Sequence, residues 1–376
     1  MNVIFTCGGT GGHINPAIAV ANTWKERHPD SKILFICGND PLEKQLIEKA
    51  GYDFVPIRIW GIERKITWEN IKSNAWAVVT VYEAIKRCKQ IIKEFKPDVI
   101  LGTGGYASYP ALRAGAKMGI PTCVHESNAM PGLTTRLLAS KVDKVLVCFE
   151  ESIKHYKKPS KVELAGMPVR REFVYTQKQA ARRELGFDDK PVVVSAFGSQ
   201  GAKAMNECMA ELFRLEKEAG FPFRHIHAVG SRGWEWMPEL VKEKGIDLER
   251  DKDIQMVEYL YNMPTVMAAC DVIISRAGAS TCNEIAASGT PCVLIPSPNV
   301  TDNHQEKNAR ALCDRGGGVL VLESQCTAQK LMAEITALLQ DKTRYNYMRK
   351  KLQELSVPDS AERLCAAMEK LIAEKS

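Results

Sequence analysis

The residues best suited to chemistry in this chain lie in a glycine-rich segment near its start. The first glycine loop, residues 8–13 (GGTGGH), follows an apolar run and precedes a helical pattern. Glycines let the backbone approach a ligand closely and adopt positive φ, and a helix N-terminus offers N–H groups to anions. The loop is not a Gly-x-Gly-x-x-Gly motif, because Ile14 stands where the third glycine would fall, and it is not a P-loop. A plain turn explains two glycines, whereas four glycines and a histidine favour a binding loop.

Two later segments occupy equivalent places, between a strand pattern and a helix pattern. The second glycine loop, residues 198–202, fits a plain turn as well as a binding site. The hydroxyl-rich loop, residues 275–284, has small residues and hydroxyls that suit a diphosphate held by backbone N–H groups. Thr281 and Glu284 also have the spacing of a capping box, so Glu284 either closes a helix start or accepts hydrogen bonds from sugar hydroxyls. The spacing favours neither alternative.

For three other polar clusters a structural interpretation is preferred. The amide-rich segment 298–305 resembles carbohydrate sites, but without context an ordinary hydrophilic loop explains it. His225 and His227 share one face of a strand, as zinc ligands can, yet a packed strand explains them better. Asp251 and Asp253 lie in a charged stretch, which indicates a solvated loop and not a metal site.

Short β-rich runs alternate with longer helical patterns along the whole chain, which predicts parallel sheets with helices on both faces. The first helix has an apolar face that includes Ala17 and Trp24, with Pro16 just ahead of it. The predicted strands are residues 3–7, 33–37, 99–101, 122–125, 145–148, 192–197, 226–229, 254–257, 272–275, 293–295 and 319–321. Two Rossmann-like domains follow, residues 1–165 and 166–358, and a final helix at 359–376 is expected to pack on the first. Because such sheets bind ligands beyond the carboxyl ends of their strands, we expect the two sheets to face a central cleft.

Composition excludes several classes of protein. The 376 residues are 45% hydrophobic and 26% charged, which is ordinary for a globular protein and long for one core. The chain start lacks the features of a signal peptide, and no apolar run reaches the roughly 18 residues of a membrane span. Twelve cysteines without a Cys-x-x-Cys pair indicate small buried hydrophobes in a reducing cytoplasm. A net charge of +6 does not imply nucleic acid and suits an anionic substrate or membrane surface.

The ordered set of motifs resembles the MurG family, the UDP-N-acetylglucosamine:undecaprenyl-diphospho-muramoyl-pentapeptide N-acetylglucosaminyltransferases of peptidoglycan synthesis. The resemblance covers essentially the whole chain and is specific as a set. It rests on residues 8–13, 104–106, 125–128, 166–170, 198–202, 278–284 and the stretch that ends at His304 and Gln305. Two positions depart from the family pattern: Phe197 stands where relatives have a glycine, and His304 replaces the first glutamine of a pair.

The resemblance implies an α/β protein with the GT-B glycosyltransferase fold and an inverting reaction in cell-wall biogenesis. UDP-N-acetylglucosamine would be the donor and the lipid-linked muramoyl-pentapeptide, lipid I, the acceptor, with lipid II as product and no cofactor or Asp-x-Asp-bound metal. The enzyme would be peripheral, at the cytoplasmic face of the cell membrane, with no nucleic-acid partner. The implied donor contacts come from Thr10, Gly11, Gly12, Asn128, Arg170, Ser199, Leu260, Gly278, Ala279, Ser280, Thr281, Cys282, Asn283, Glu284 and Gln305. The implied acceptor contacts come from His13, Gly104, Gly105, Tyr106 and Glu126.

His13 is the candidate general base of this reaction. Displacement of UDP from the sugar C1 with inversion needs a base near the acceptor hydroxyl and stabilisation of the leaving diphosphate, but no enzyme nucleophile. An imidazole with an unperturbed pKa of roughly 6.5 suits proton transfer near neutrality. The alternative is that His13 only hydrogen-bonds the backbone or the acceptor.

Other functions could use the same motifs. A UDP-sugar epimerase or another glycolipid glycosyltransferase would keep the fold and change the reaction. A nucleotide-sugar-binding subunit without activity is disfavoured, because donor-side and acceptor-side halves lie on one chain. A nicotinamide oxidoreductase is disfavoured by the missing Gly-x-Gly-x-x-Gly motif.

A stretch of tryptophans and basic residues in the first half predicts a membrane-docking patch. Tryptophan beside basic residues suits the boundary between headgroups and acyl chains. The patch consists of Trp60, Ile62, Arg64, Lys65, Ile66, Trp68, Ile71, Lys72, Trp76, Val79, Lys86, Arg87 and Lys89. The alternative is that residues at helical spacing, such as Trp68 and Ile71, face the core.

Overall fold

Two compact units make up the chain. The computed structural model describes residues 1–9, 11–59 and 68–375, and of Leu42 and residues 68–78 the backbone alone. The first unit consists of Met1–Val169 together with Val357–Ser376, and the second unit is Arg170–Ser356. Each unit is built on its own parallel sheet.

Strands alternate with helices throughout the described residues. The strands are β1 (Asn2–Thr6), β2 (Lys32–Cys37), β3 (Asp53–Pro56), β4 (Val99–Gly102), β5 (Thr122–Glu126), β6 (Lys144–Val147), β7 (Val162–Leu164), β8 (Val192–Ala196), β9 (Arg224–Ala228), β10 (Ile254–Val257), β11 (Val272–Ser275), β12 (Cys292–Leu294) and β13 (Val319–Leu320). The α-helices are α1 (Gly11–Arg27), α2 (Pro41–Lys49), α3 (Trp68–Phe95), α4 (Ser108–Lys117), α5 (Leu133–Leu138), α6 (Arg171–Tyr175), α7 (Lys178–Glu184), α8 (Lys203–Glu218), α9 (Met237–Glu243), α10 (Met263–Ala269), α11 (Ala279–Ser288), α12 (His304–Cys313), α13 (Ala328–Gln340), α14 (Lys342–Leu355) and α15 (Ser360–Lys375). Of the helices in the described ranges, none is both long enough and apolar enough to cross a membrane.

Both sheets are fully parallel and reverse their strand order beside a central strand. The seven-stranded sheet of the first unit has the order β3-β2-β1-β4-β5-β6-β7, and the six-stranded sheet of the second has the order β10-β9-β8-β11-β12-β13. In the first sheet Val3 of β1 pairs with Ile33 on one side and with Val99 on the other. Open parallel sheets bind ligands at such a reversal point, beyond the carboxyl ends of the strands.

The core of the first unit lies on both faces of its sheet. Alternate residues of β1 point to opposite faces, so Val3 and Phe5 join one apolar cluster while Ile4 joins the other. The first cluster includes residues of α1 and α15, among them the fully buried Trp24 and Met368. Burial of each large side chain contributes roughly 1.5–3 kcal/mol, which holds the C-terminal helix on this unit.

The predicted α/β fold class is confirmed, and every predicted strand is present with its ends within two residues of the prediction. Two strands were not predicted, β3 and β7, which form the edges of the first sheet. The predicted helix start near Pro16 is wrong, because α1 begins at Gly11 and Pro16 lies inside it. The glycine-rich segment itself therefore winds into the first helical turn.

Candidate active site

The first glycine loop leaves the centre of the first sheet and enters α1. Because the helix begins at Gly11, the first turn contains Gly11, Gly12 and His13. The N–H groups of a first turn have no acceptor within the helix and are available to anions. Gly9 has a φ of +90°, a conformation that favours glycine. Thr10, a predicted donor contact, lies outside the described residues.

The loop after β4 packs against the first glycine loop so closely that the two backbones are in contact. A Cβ atom on Gly105, whose φ is +80°, would lie 2.0 Å from the carbonyl oxygen of Gly8. Any side chain at position 105 would therefore push the two loops apart. The neighbouring Tyr106 side chain is 55% exposed. The fold thus brings the predicted motifs at residues 8–13 and 104–106 into direct contact.

His13 is held in place by two hydrogen bonds with Thr103. Its Nδ1 lies 3.1 Å from the carbonyl oxygen of Thr103, and the Thr103 hydroxyl donates to the carbonyl oxygen of His13 over 2.7 Å. Since a carbonyl oxygen only accepts hydrogen bonds, Nδ1 of the neutral imidazole carries the proton and Nε2 carries the lone pair. The ring also lies against Gly104, where a Cβ atom would stand 2.6 Å from Nδ1. The surroundings of His13 therefore select the tautomer in which Nε2 can accept a proton.

Glu43 of α2 anchors the first glycine loop, and no sequence pattern indicated this contact. Its Oε1 accepts a hydrogen bond from the N–H of Gly9 over 2.5 Å, and the carboxylate also accepts from the N–H of Gly38. A Cβ atom would lie 3.2 Å from Oε1 if added to Gly8, and 3.0 Å from Oε2 if added to Gly38. Burial raises the pKa of this carboxyl above its usual value, although the two N–H donors act in the opposite direction. The space for Glu43 thus depends on glycine at both positions.

Glu126 shapes the loop that follows β5. Its Oε1 accepts from the backbone N–H of Asn128 over 3.0 Å and from the Asn128 side-chain amide over 3.3 Å. Its Oε2 accepts from the N–H of Gly132 over 2.9 Å. The buried carboxylate therefore holds the loop that presents Asn128, in a structural role that the sequence analysis did not identify. The acceptor contact of Glu126 and the donor contact of Asn128 stay predictions.

The second glycine loop joins β8 to α8 in the second unit. Gly198 and Gly201 have φ values of +94° and +76°. A Cβ atom on Gly201 would lie 2.1 Å from the carbonyl oxygen of Val229, and one on Gly230 would lie 2.1 Å from the nitrogen of Gly201. The loops after β8 and β9 therefore meet at backbone distance, which gives Gly230 a role that the sequence analysis missed. Ser199 is exposed on this loop.

The hydroxyl-rich loop joins β11 to α11, with Gly278 as the N-cap of the helix. The capping-box alternative for Thr281 and Glu284 is wrong, because both residues lie inside the helix and no side chain caps its start. Gly278 takes the cap position in an extended conformation, so the helix begins earlier than the Thr–Glu spacing suggested. The first-turn N–H groups of α11 are consequently available to an anion.

Glu284 lies half-buried one turn further into α11. Burial raises the pKa of its carboxyl above the usual value, and the guanidinium of Arg170 acts in the opposite direction. Arg170 is itself exposed. The carboxyl group of Glu284, a hydrogen-bond acceptor, and the positively charged guanidinium of Arg170 therefore interact electrostatically beside the hydroxyl-rich loop.

The remaining predicted donor residues follow other strands of the second sheet. Leu260 comes after β10 and is 8% exposed. Gln305, after β12, accepts a hydrogen bond at Oε1 from the N–H of Ser297 over 2.9 Å. Nδ1 of His304 lies 2.8 Å from the carbonyl oxygen of Thr301, a local contact within its own loop. Because the strands are parallel, the loops after β8, β10, β11 and β12 all leave the same edge of the sheet.

In the part of the chain that the structure describes, no group of three or more His, Cys, Asp or Glu residues is placed to hold a metal ion. Asp251 is paired with Lys217 and Asp253 with Lys190, each at 2.8 Å. Both aspartates of the predicted solvated loop are thus engaged in ion pairs and are largely covered.

His225 and His227 belong to a buried polar chain in the core of the second unit. The Ser195 hydroxyl lies 2.8 Å from Nε2 of His225 and 2.7 Å from Nδ1 of His227. Oε1 of Glu216 lies 2.7 Å from Nδ1 of His225. All four side chains are fully buried, so the prediction of a packed strand is confirmed.

The fold and the loops together define a class of protein. Two Rossmann-like units, each with a glycine-rich strand-to-helix loop at the reversal point of its sheet, are the architecture of a GT-B glycosyltransferase. The N-terminal domain of glycosyltransferase family 28 matches residues 3–147, and the C-terminal domain of that family matches residues 192–364.

Close relatives agree with this class over the full chain. The UDP-N-acetylglucosamine–N-acetylmuramyl-(pentapeptide) pyrophosphoryl-undecaprenol N-acetylglucosamine transferase of Caldanaerobacter subterraneus is 41% identical, over 96% of this chain and 97% of its own. The transferase of the same name from Acetivibrio thermocellus is 37% identical over the whole of both chains. The crystal structure of Acinetobacter baumannii MurG superposes with a TM-score of 0.77, at 25% identity over 98% of this chain and 99% of that one. The chain therefore belongs to the MurG family of glycosyltransferases.

The fold alone is shared more widely. The UDP-N-acetylglucosamine 2-epimerase of Neisseria meningitidis covers 98% of this chain with a TM-score of 0.67 but only 16% identity. At this identity the likeness shows a shared fold and carries no argument for an epimerase.

Proposed function

We propose that the protein transfers N-acetylglucosamine from UDP-N-acetylglucosamine to a lipid-linked muramoyl-pentapeptide and inverts the anomeric centre. The observation that carries the proposal is the identity of 37% to 41% with transferases named for this reaction, along nearly the whole of each chain. The geometry agrees with it, since the chain combines an oriented imidazole with two helix starts suited to anions.

The second unit is assigned to the donor. The first-turn N–H groups of α11 would bind the diphosphate, helped by the helix dipole and by the positive charge of Arg170. Glu284 would accept hydrogen bonds from sugar hydroxyls, which a carboxylate does strongly. Gln305 would offer its amide N–H groups to the sugar, because its Oε1 already accepts from Ser297. Leu260 would pack against the uracil.

The first unit is assigned to the acceptor and the base. Nε2 of His13 would take the proton of the acceptor hydroxyl while that oxygen attacks C1 of the sugar. The bond from C1 to the UDP oxygen breaks on the opposite side, so one displacement inverts the configuration. As the imidazole becomes positively charged, its Nδ1–H bond to the Thr103 carbonyl strengthens and stabilises the cation. The first-turn N–H groups of α11 and the guanidinium of Arg170 would stabilise the negative charge on the leaving diphosphate. The proposed reaction uses no cofactor.

Peripheral docking at the cytoplasmic face of the membrane is part of the proposal, because a polyprenyl acceptor stays in the bilayer. Residues 60–67 of the predicted patch lie outside the described residues, and the side chains of Trp68, Ile71, Lys72 and Trp76 are likewise not described. In the described part of α3, Val79 is 49% exposed and Tyr82 is 74% exposed. Lys86, four positions after Tyr82 and therefore on the same side of the helix, is also exposed. The exposed Glu83 lies on the same face, so the described part of α3 supports docking through its apolar side chains and Lys86 and offers no purely basic surface.

The experiment is a transfer assay with labelled UDP-N-acetylglucosamine and a lipid-linked muramoyl acceptor, with and without EDTA. The expected result is label in the lipid fraction, dependent on the acceptor and unchanged by EDTA. Incubation without acceptor serves as the control and also detects an epimerase. Conversion of the nucleotide sugar to an epimer with no label in the lipid would overturn the proposal.

A further inference from the structure

A polar cavity of about 200 Å³ lies in the second unit, on the side of the sheet away from the candidate donor loops. Its lining includes Cys270 and Pro291, which come just before β11 and β12 along the chain. Because the strands are parallel, both residues lie at the amino ends of the strands, whereas the candidate donor loops follow the carboxyl ends. The cavity is therefore separate from the candidate donor site.

Two helices that begin at predicted donor residues end at this cavity. The helix α11 has Gly278 as its N-cap, and its last residue, Ser288, lines the cavity. The helix α6 has Arg170 as its N-cap, and Thr176 at its other end lines the cavity. The 10 residues of α11 span about 15 Å at a rise of about 1.5 Å per residue. The cavity and the start of α11 are therefore far enough apart to hold separate ligands.

Both charged side chains among the described lining residues are positive, Lys178 and Arg349. Lys178 pairs with Asp271, but that carboxylate also accepts hydrogen bonds from Arg182 over 3.2 Å and from the N–H of Val192 over 2.8 Å. The guanidinium of Arg349 is half-buried, and within the described part of the chain it has no ion pair and no hydrogen bond. A partly buried cation without a partner is unfavourable, so an anion in the cavity would be stabilised.

Hydrogen-bond donors on α14 surround this cation. Tyr345, Arg349 and Gln353 follow one another at four-residue intervals and line the cavity together, as residues on one face of a helix do. Burial raises the pKa of Tyr345, so its hydroxyl keeps its proton and can donate. A guanidinium presents its N–H donors in a planar fork that matches two oxygens of a phosphate group. The row of side chains therefore suits an oxyanion.

The ends of two helices oppose an anion here, but the positive charge is larger. The C-terminal ends of α10 and α11 lie at the cavity, and each is equivalent to roughly half a negative charge. At α11 part of this charge is covered, because the N–H of Gly289 bonds to the carbonyl oxygen of Ala286. The three cations Lys178, Arg182 and Arg349 outnumber the single carboxylate of Asp271, so the balance stays positive.

We propose that this cavity is a binding site for a small phosphate-bearing anion, held by the Arg349 guanidinium and the Tyr345 hydroxyl and separate from the UDP-sugar site. The volume of about 200 Å³ lies below the roughly 300–1,000 Å³ of pockets for drug-sized ligands. The ligand is therefore small, either a free phosphate ion or a short phosphate ester. The site extends the proposed function, which assigns no ligand to this side of the second unit.

The test is calorimetric titration of inorganic phosphate into the full-length protein, without UDP and after saturation with UDP. UDP fills the donor site, and this use of UDP rests on the proposed function. Phosphate should still bind to the UDP-saturated protein, because the cavity lies at the other end of α11. Glycerol phosphate, titrated in the same way, distinguishes a free ion from an ester as the preferred ligand. A prior titration with UDP alone shows whether the donor assignment holds, so its failure is seen separately from a failure of the cavity.

Three variants assign the bound phosphate to the cavity. Arg349→Gln should weaken phosphate binding by about 10- to 100-fold, because hydrogen bonds to a charged group are lost. Tyr345→Phe removes one hydroxyl and should weaken it by about 5-fold, which keeps the test valid if the Arg349 variant fails to fold. Lys350→Gln is the matched control, because this neighbouring side chain is 74% exposed and does not line the cavity. The proposal is overturned if UDP-saturated wild type binds no phosphate at millimolar concentration, or if folded Arg349→Gln or Tyr345→Phe binds it as tightly as Lys350→Gln.

Discussion

Nδ1 of His13 and the backbone carbonyl oxygen of Thr103 lie 3.1 Å apart, and this contact decides which ring nitrogen can act as a base. The Thr103 hydroxyl returns a hydrogen bond to the His13 carbonyl oxygen over 2.7 Å, so the two residues hold each other. The imidazole is oriented before any substrate binds, which lowers the cost of reaching a reactive geometry.

Gly104→Ala should disturb this orientation. The added Cβ atom would stand 2.6 Å from Nδ1 of His13, so the ring must move, and turnover should fall by about 10- to 100-fold with the donor affinity unchanged. Gly119→Ala is the matched control, because Gly119 also has positive φ but nothing lies within 4 Å of an added Cβ. The control should lose about 1–2 kcal/mol of stability and keep its turnover. Equal turnover in the two variants, measured in the transfer assay, would contradict the role of Gly104.

Glu284→Ala should weaken UDP-N-acetylglucosamine by about 10-fold more than it weakens UDP, because only the sugar would contact the carboxylate. Calorimetric titration with each ligand measures this difference. Thermal stability should change little, since Glu284 does not cap α11. Ser288→Ala, at the opposite end of the same helix, should affect neither ligand. A loss that is the same for both ligands would argue against the assignment to the sugar.

Acidification should destabilise the protein through His227. Burial lowers the pKa of this imidazole to about 3, so the folded state binds fewer protons than the unfolded state, whose histidine titrates near 6.5. The resulting stability is fully present above about pH 6.5 and is lost as the pH falls toward 3. Between pH 7 and pH 5 the loss from this one residue should be about 2 kcal/mol.

Urea unfolding at a series of pH values measures that loss. The free energy of unfolding of His227→Gln should depend less steeply on pH than that of wild type, by the amount stated above. The control is Gln329→Ala, which replaces an exposed side chain that does not titrate and should leave the pH dependence unchanged. Parallel pH profiles for wild type and His227→Gln would show that the buried imidazole does not titrate as described.

Membrane docking predicts salt-sensitive binding to anionic vesicles. Each basic residue near such a surface contributes about 1 kcal/mol, screened by salt, so replacement of Arg64, Lys65 and Lys72 by glutamine should reduce co-sedimentation. A control triple variant replaces Lys203, Arg250 and Lys350 of the second unit, whose side chains are 74% to 87% exposed, and should bind like wild type. Absence of wild-type binding at low salt, or equal loss in both variants, would rule out the proposed patch.

The fold class could be predicted from the sequence because buried parallel strands are short apolar runs between helical patterns. The two missed strands lie at the edges of the first sheet, where burial is incomplete. β3 reads Asp-Phe-Val-Pro and β7 reads Val-Glu-Leu, and neither is continuously apolar. Edge strands are exposed on one side, so their hydrophobic signal is weak.

The candidate site was only partly predictable, for a different reason. A glycine-rich loop can be identified from its own residues, but its support cannot. Glu43 reaches Gly9 across 34 positions of sequence, and Gly105 meets the backbone of Gly8 across a still longer separation. Such contacts depend on the order of strands in the sheet and on backbone distance, and neither leaves a local pattern.

The role of His13 as base is tested most directly by the turnover of His13→Ala in the transfer assay across a range of pH, together with its affinity for UDP-N-acetylglucosamine. Removal of a general base typically costs about 100- to 10,000-fold, so turnover should fall within that range. The affinity for the donor should stay close to that of wild type, because the imidazole is assigned to the acceptor. Turnover of His13→Ala within a few-fold of wild type at every pH would contradict the assignment.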